Sequence, residues 1–371
     1  MIIGIPKETW AEEKRVALTP AGAHALAKLG HSIVVQSDAG RWSGFSAEAY
    51  RDAGATVVFS PGEVFARADV IVKVMPPTPE ECNWLTEHQF LFSGVHFGAA
   101  NPVVHETLRR RKTVAIGIEL IEDSDCNLPV LVAMSEIAGM LLPQIAGRFL
   151  ETAQGGRGIL LGGVAGIPAS HAVIIGAGNV GATAARSFLG AGANVTVMDD
   201  DLRRLRYLET ALSKQIDTLL STPYNIERSV VRADVVVGSV MIHGRKTPHV
   251  VTESTVRRMR PGSVILDISI DQGGCVETSR PTTQTDPVFR KHDVTHFCVP
   301  NIPSSVARTA SHAMNNAVLS FVEEIAEAGT AAFQENPTLR RGVYLYEGQC
   351  THEGLAALLG WEFANIDLLA S

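Results

Sequence analysis

The run Ala172-Val173-Ile174-Ile175-Gly176-Ala177-Gly178-Asn179-Val180-Gly181 decides how this chain is read. An apolar strand leads into a G-x-G-x-x-G spacing, and a helix pattern, Ala182 to Leu189, follows at once. A second strand, Asn194–Met198, then reaches Asp199, close to the roughly 20-residue spacing of a dinucleotide-binding βαβ unit. Each position has a physical task. Gly176 permits the tight turn, Gly178 lets the backbone approach a pyrophosphate, and Gly181 lets helix and strand pack closely. The helix start at Asn179 and Val180 turns unpaired N–H groups toward phosphate charge. Asp199 is placed to accept hydrogen bonds from the adenosine ribose. A carboxylate there repels a 2′-phosphate, so NAD is favoured over NADP. Asp200 and Asp201 strengthen that field, and Arg203 and Arg204 temper it.

Outward from this unit, β-branched runs alternate with amphipathic stretches in both directions. Upstream strands are expected at Ile2–Ile5, Ser32–Val35, Thr56–Val58, Val70–Val74, Phe90–Val95 and Thr113–Ile118. Helix patterns such as Pro20–Leu29 and Ala47–Ala53 lie between them, which indicates βαβ crossovers and a parallel sheet. Downstream, Val235–Val240 and Val264–Ile268 continue the second series. Long helices are expected over Val132–Leu150 and Ser311–Glu327, while the tail from Arg341 to Leu359 shows no strand series of its own. The simplest organisation is an α/β chain of two domains. One is discontinuous, residues 1–130 with 308–371, and the other is inserted as residues 131–307.

Composition narrows the function class. With 46% apolar and 19% charged residues the chain can bury a core, and 371 residues suit two domains. A net charge of −7 argues against a nucleic-acid partner, since phosphate affinity needs clustered cations. The basic run Arg109-Arg110-Arg111-Lys112 closes a helix pattern, where cations suit the dipole. Five cysteines without a C-x-x-C pair fit reduced thiols in the cytoplasm better than disulfides or a metal site. The opening Met1 to Pro6 reads as a strand rather than a signal peptide. The apolar stretch Gly158 to Ala182 is broken by Pro168, His171 and glycines, so no membrane span is expected there.

Several blocks together resemble the alanine dehydrogenase and pyridine nucleotide transhydrogenase family, most closely its dehydrogenase branch. They include Ile3 to Glu8, Arg15-Val16-Ala17-Leu18-Thr19-Pro20, Met134 to Gly139 and Gly155 to Gly158. Asp267 to Gly274 and Ser279 to Thr283 add to them, so the likeness spans essentially the whole chain. The resemblance implies two Rossmann-like domains with parallel sheets and an active site in the interdomain cleft. It also implies an NAD-dependent oxidation of an L-amino acid to a 2-oxo acid and ammonia, no metal, and a homo-oligomer, usually a hexamer.

By the same resemblance, Arg15 anchors the substrate carboxylate, a task suited to the guanidinium fork. His96, at the end of the apolar run Phe90–Val95, is the acid/base group near neutral pH. Asp271 pairs with the amino group or orients water, and Asp267 is the rival carboxylate, read as structural. Asn301 meets nicotinamide and substrate. Ser135, Ser239, Val240, Ile268 and Asp271 join the glycine turn among the cofactor contacts, with Met134 alongside. One departure stands out. The family pattern places a second lysine two residues after Lys73, where this chain has Met75. Either Lys73, two residues away on the same strand face, substitutes for it, or Met75 offers an apolar wall to a bulkier or differently polarised substrate. Ile118, where the pattern has an aromatic residue, points the same way.

The leading expectation is therefore an alanine-type amino-acid dehydrogenase acting on a small amino acid and its 2-oxo acid. Two others stand beside it: an opine-type or imine reductase on the same scaffold, and an NAD(H)-binding subunit without small-substrate chemistry of its own.

Overall fold

The computed structural model describes residues 1–95, 101–241 and 247–369. The chain divides into two compact units, Met1–Met134 with Pro303–Ser371, and Ser135–Ile302.

In the first unit, strands β1 (Ile2–Ile5), β2 (Ser32–Gln36), β3 (Thr56–Val58), β4 (Val70–Val72), β5 (Phe90–Ser93) and β6 (Val114–Gly117) follow the chain. They pair in parallel in the order β3-β2-β1-β4-β5-β6. The second unit contains β7 (His171–Ile175), β8 (Asn194–Asp199), β9 (Asp217–Leu220), β10 (Val235–Gly238), β11 (Val264–Asp267), β12 (Val288–Lys291) and β13 (Val294–Phe297). Its parallel order is β9-β8-β7-β10-β11-β13, with β12 antiparallel at the edge. Both sheets are doubly wound. Strand order reverses between β1 and β4 in one and between β7 and β10 in the other, where such sheets open a crevice at their carboxyl ends.

The apolar runs exist because both faces of these strands are covered. Ala172 and Ile174 of β7 enter one core cluster, while Val173 and Ile175 enter the other. That is why β7 and β10 read as continuous hydrophobic stretches rather than alternating ones. Helix Pro129–Leu150 has the length and hydropathy of a membrane span. Its later turns place Leu142, Ala146, Phe149 and Leu150 in the core of the second unit, while Met140 is 51% exposed.

The tail corrects the sequence reading. It carries two strands, β14 (Val343–Tyr346) and β15 (Gln349–Cys350), and β14 extends the first sheet antiparallel to β6. Glu347 and Gly348 turn the hairpin at φ 49° and 76°. A two-residue connection with both φ values positive closes a hairpin, and Gly348 is its trace in the sequence. The pair β12 and β13 closes likewise on His292 and Asp293, at φ 55° and 58°, and these strands and β9 were also passed over. Each lies at or near a sheet edge, where a strand of four residues leaves little pattern.

Each unit also buries an imidazole, and this sets an expectation for acid. His105 in the first unit is 1% exposed and His296 in the second is 0% exposed. Burial pushes both pKa values down to about 4, opposed at His296 by the Val294 carbonyl. The unfolded chain takes up these protons first, at its ordinary value near 6.5. Stability is therefore complete above pH 6.5 and falls toward pH 4, by up to about 1.4 kcal/mol per pH unit for each histidine. Thermal melts at pH 7 and pH 5 check this. His105→Phe retains the edge contact with Tyr344 and is expected to shrink the acid-induced fall in Tm; an unchanged fall would contradict it.

Candidate active site

In the second unit the glycine turn sits at the point of strand reversal. Gly176 adopts φ 103°, a value suited to glycine, and a Cβ there would stand 2.4 Å from the Ser239 carbonyl oxygen. Ser239, just beyond β10, donates from its hydroxyl to the carbonyls of Ile175 and Gly176 at 3.1 and 3.0 Å. Gly181 is tighter still, with a Cβ 1.8 Å from the Gly176 carbonyl oxygen. Gly178 is the opposite case. Nothing lies within 4 Å of the position its Cβ would take. Helix Asn179–Gly190 starts there with no side-chain cap, so its first N–H groups are left for a ligand. One glycine is excluded from bearing a side chain by the protein; the other faces open space suited to a pyrophosphate. The turn fits a dinucleotide.

Asp199, at the end of β8, is 5% exposed. Its carboxylate accepts from the Ala177 and Asp201 N–H groups at 2.6 and 2.8 Å. It therefore shapes the turn, while its remaining lone pairs stay available to a ribose. Arg204 stands 3.7 Å away, whereas Arg203 is tied to Asp201 at 2.8 Å. Asp199→Ala is expected to raise the NADH dissociation constant about tenfold or more, the worth of hydrogen bonds to a charged group. It also frees Arg204, so NADPH should gain affinity. Fluorescence titration with both nucleotides reads this, and a proportionate loss for both would deny Asp199 its discriminating role.

Beyond β11 a 3₁₀ turn, Ile268–Gln272, presents Asp271 at the surface. Asp267 is 0% exposed, and its carboxylate accepts from Ser269, Cys275 and Val276 N–H groups at 3.2, 3.0 and 3.1 Å. It builds the turn that Asp271 crowns. Ser269 in that turn donates to the Val240 carbonyl at 2.7 Å, which ties Val240 to the turn. Asn301 lies at φ 53°, in the left-handed region that asparagine tolerates better than most residues. Ser135 is half-buried on helix Pro129–Leu150.

In the first unit Arg15 is buried and locked to Glu13. Its Nε donates to Oε1 at 2.8 Å and its Nη2 to Oε2 at 2.6 Å, while the Arg15 N–H donates to Oε1 at 2.9 Å. The other arm, Nη1, donates to the Met134 sulfur at 3.4 Å. Each terminal nitrogen carries a second N–H beyond the one donated here. The returning chain holds this loop in place. Ser304 accepts from the Lys14 N–H at 3.2 Å, and Ser311, on helix Ala307–Ala328, accepts from the Val16 N–H at 2.9 Å. Sequence reading missed Glu13, although its i−2 position in an extended loop puts it on the same side as Arg15. Ser304 and Ser311 left no comparable signal.

Lys73 is enclosed by acidic partners. It is 0% exposed, and its Nζ lies 3.1 Å from Glu81 and 3.2 Å from Glu8. Burial alone would depress its pKa, but the two carboxylates outweigh it and raise the value. Burial pushes Glu8 upward, partly offset by Lys73. Glu8 also accepts from the Val74 N–H at 2.7 Å, and Glu81 closes a capping box with Thr78. The triad secures the crossing from β4 into Met75 and Pro76. Its ammonium is already matched by two carboxylates. Met75 is 6% exposed, and among these groups it adds no charge. His96 lies outside the described residues.

Two doubly wound sheets, one with a glycine turn and acidic residue fitted to a nucleotide, define an α/β protein of the dinucleotide-binding class. The comparisons with known proteins narrow the class. Residues 4–138 match the family model described as alanine dehydrogenase/PNT, N-terminal domain, and residues 143–353 match its C-terminal counterpart. The chain belongs to the alanine dehydrogenase/PNT family. It is 42% identical over 369 residues to an alanine dehydrogenase of Staphylococcus haemolyticus, covering 99% of this chain and 98% of that one. It is 42% identical over 366 residues to an alanine dehydrogenase of Mycobacterium tuberculosis, covering 98% of each. A solved L-alanine dehydrogenase superposes with a TM-score of 0.93 at 40% identity, covering 97% of this chain and 99% of that one.

Proposed function

We propose that this chain is an NAD-dependent alanine dehydrogenase, converting L-alanine to its 2-oxo acid and ammonia or running the reverse reductive amination. The observation that carries this is identity of 42% along nearly the full length of curated alanine dehydrogenases. The glycine turn supports the cofactor independently. The comparisons lend no support to the opine-type reductase or to a subunit without chemistry.

NAD, when bound, supplies the hydride acceptor; the protein's own groups do the rest. In this proposal the second unit is the NAD-binding domain. Gly176, Gly178 and Gly181 with the N–H groups of Asn179 and Val180 hold the pyrophosphate, and Asp199 holds the ribose. Ser135, Ser239, Val240, Ile268 and Asn301 line the path of the cofactor. The first unit is the substrate domain, where the Nη1–Nη2 edge of Arg15 takes the substrate carboxylate. His96 moves the proton at the substrate carbonyl oxygen, and Asp271 pairs with the amino group or orients the water. Lys73 is assigned to the scaffold. We place the protein in the cytoplasm as a homo-oligomer, a hexamer by family; its five free cysteines support a reducing compartment.

The test is direct. NADH absorbance should fall with pyruvate and ammonium together and not when ammonium is omitted; consumption without ammonium would refute the assignment. Met75→Lys is expected to raise kcat/KM for pyruvate tenfold or more. A charge pair about 4 Å apart at an effective dielectric near 20 interacts by roughly 4 kcal/mol, and a third of that survives as one decade. Since Lys73 is held by Glu8 and Glu81, a null result would mean that Arg15 alone suffices for the carboxylate.

A further inference from the structure

The buried carboxylate of Glu13 has no part in the chemistry assigned above. It accepts three hydrogen bonds from one residue, Arg15: the backbone N–H and Nε at Oε1, and Nη2 at Oε2. The root and the tip of the Arg15 side chain are therefore tied to the same group. A guanidinium is planar, so a bidentate grip on its Nε–Nη2 side fixes its plane as well as its place. Nε has a single N–H and donates it here, so the terminal nitrogens are the ones left to meet a ligand.

The carboxylate is itself held from outside the pair. Ser304, buried completely, bridges the chain on both sides of Glu13: its hydroxyl donates to the Glu12 carbonyl at 2.6 Å and accepts from the Lys14 N–H. The Glu13 N–H donates to the Trp10 carbonyl at 3.2 Å, and the Ser43 hydroxyl donates to the Lys14 carbonyl at 2.9 Å. Glu12 sits at φ 66°, a left-handed bend that such bracing maintains. All of these residues belong to the first unit. A buried ion pair adds little net stability, because desolvating two ions offsets their attraction. What this pair fixes is geometry.

We propose that Glu13 is a positioning residue for the reaction: it presets the Arg15 guanidinium to receive the substrate carboxylate, and Ser304 sets Glu13 in turn. The inference rests on the dehydrogenase reading, in which Arg15 is the anchor, and deepens it by naming what aims that anchor. Ordering a long side chain at the moment of binding lowers affinity by up to roughly tenfold. The clamp orders Arg15 during folding instead. That benefit is common to the bound substrate and the transition state, so it belongs in KM rather than kcat.

Glu13→Asp in the intact enzyme tests it. The shorter carboxylate keeps its charge and can still accept from the N–H two residues on, as aspartate does in turns. It is withdrawn from the guanidinium by one C–C bond, roughly 1.5 Å. With NADH and ammonium, KM for pyruvate is expected to rise about tenfold while kcat stays within about twofold of wild type. Ser304→Ala is expected to move KM the same way by a smaller factor. An unchanged KM in Glu13→Asp, or a loss in kcat alone, would overturn the proposal. Phenylglyoxal labelling of Arg15, read by peptide mass spectrometry, needs no turnover. Modification is expected to run several-fold faster in Glu13→Asp than in wild type, and an equal rate would overturn the clamp. Wild-type turnover of pyruvate, with KM and labelling both unchanged in Glu13→Asp, removes the clamp and leaves the reaction. Faster labelling in Glu13→Asp, with no turnover by wild type, removes the reaction and leaves the clamp.

Discussion

Gly181→Ala is expected to raise the NADH dissociation constant at least a hundredfold, about 2.7 kcal/mol at about 1.36 kcal/mol per decade. A methyl group at this position would stand 1.8 Å from the Gly176 carbonyl oxygen and 2.9 Å from the Ser239 hydroxyl. The first contact is backbone, so no rotamer relieves it. The helix start must withdraw from the turn, and the N–H groups aimed at phosphate withdraw with it. Because Ser239 also donates to the Gly176 carbonyl, the displacement reaches β10, and Tm should fall as well. Gly178→Ala is the matched control. Its added methyl meets nothing within 4 Å, and its φ of −71° suits any residue, so Tm should hold while NADH affinity drops. Titration and melting of both variants decide the matter. Full NADH affinity in Gly178→Ala would show that the pyrophosphate does not approach there.

Arg15→Met is expected to cost about 3–5 kcal/mol of stability, because it strips a buried carboxylate of its guanidinium. Arg15 and Glu13 side chains are only 6% and 1% exposed. Turnover with pyruvate should fall by several decades in kcat/KM, since the same group is the proposed anchor of the substrate carboxylate. The two effects separate cleanly. Pairing Arg15→Met with Glu13→Gln removes the uncompensated charge, so Tm should recover while activity does not. Arg15→Lys retains a charge but loses the fork; it should restore Tm in part and raise KM more than it lowers kcat. Activity returning with stability in the double variant would show that Arg15 serves the fold alone.

Much of this architecture was legible in the chain itself. The parallel strands appear as apolar runs because both faces are buried, and the glycine turn is legible because backbone geometry forbids side chains at Gly176 and Gly181. Asp199 closes β8 at the spacing that a fixed length of helix and strand sets. Edge hairpins were not legible. Strand β14 exists because β6 exposes unpaired backbone groups for it to pair with, a fact about a neighbour more than two hundred residues away in sequence.

The charge arrangement belongs to the same category. From residue order alone, Lys73 and Met75 share a strand face, and a substitution of one cation by the other is a fair reading. Glu8 and Glu81 come to Lys73 from separate parts of the chain, across the β1–β4 reversal and from the capping turn after β4. Period and propensity are local, so they specify which segments form and which faces are apolar. Where a buried charge finds its partner depends on how distant segments stack, because a low-dielectric interior makes that pairing obligatory without prescribing which carboxylate supplies it.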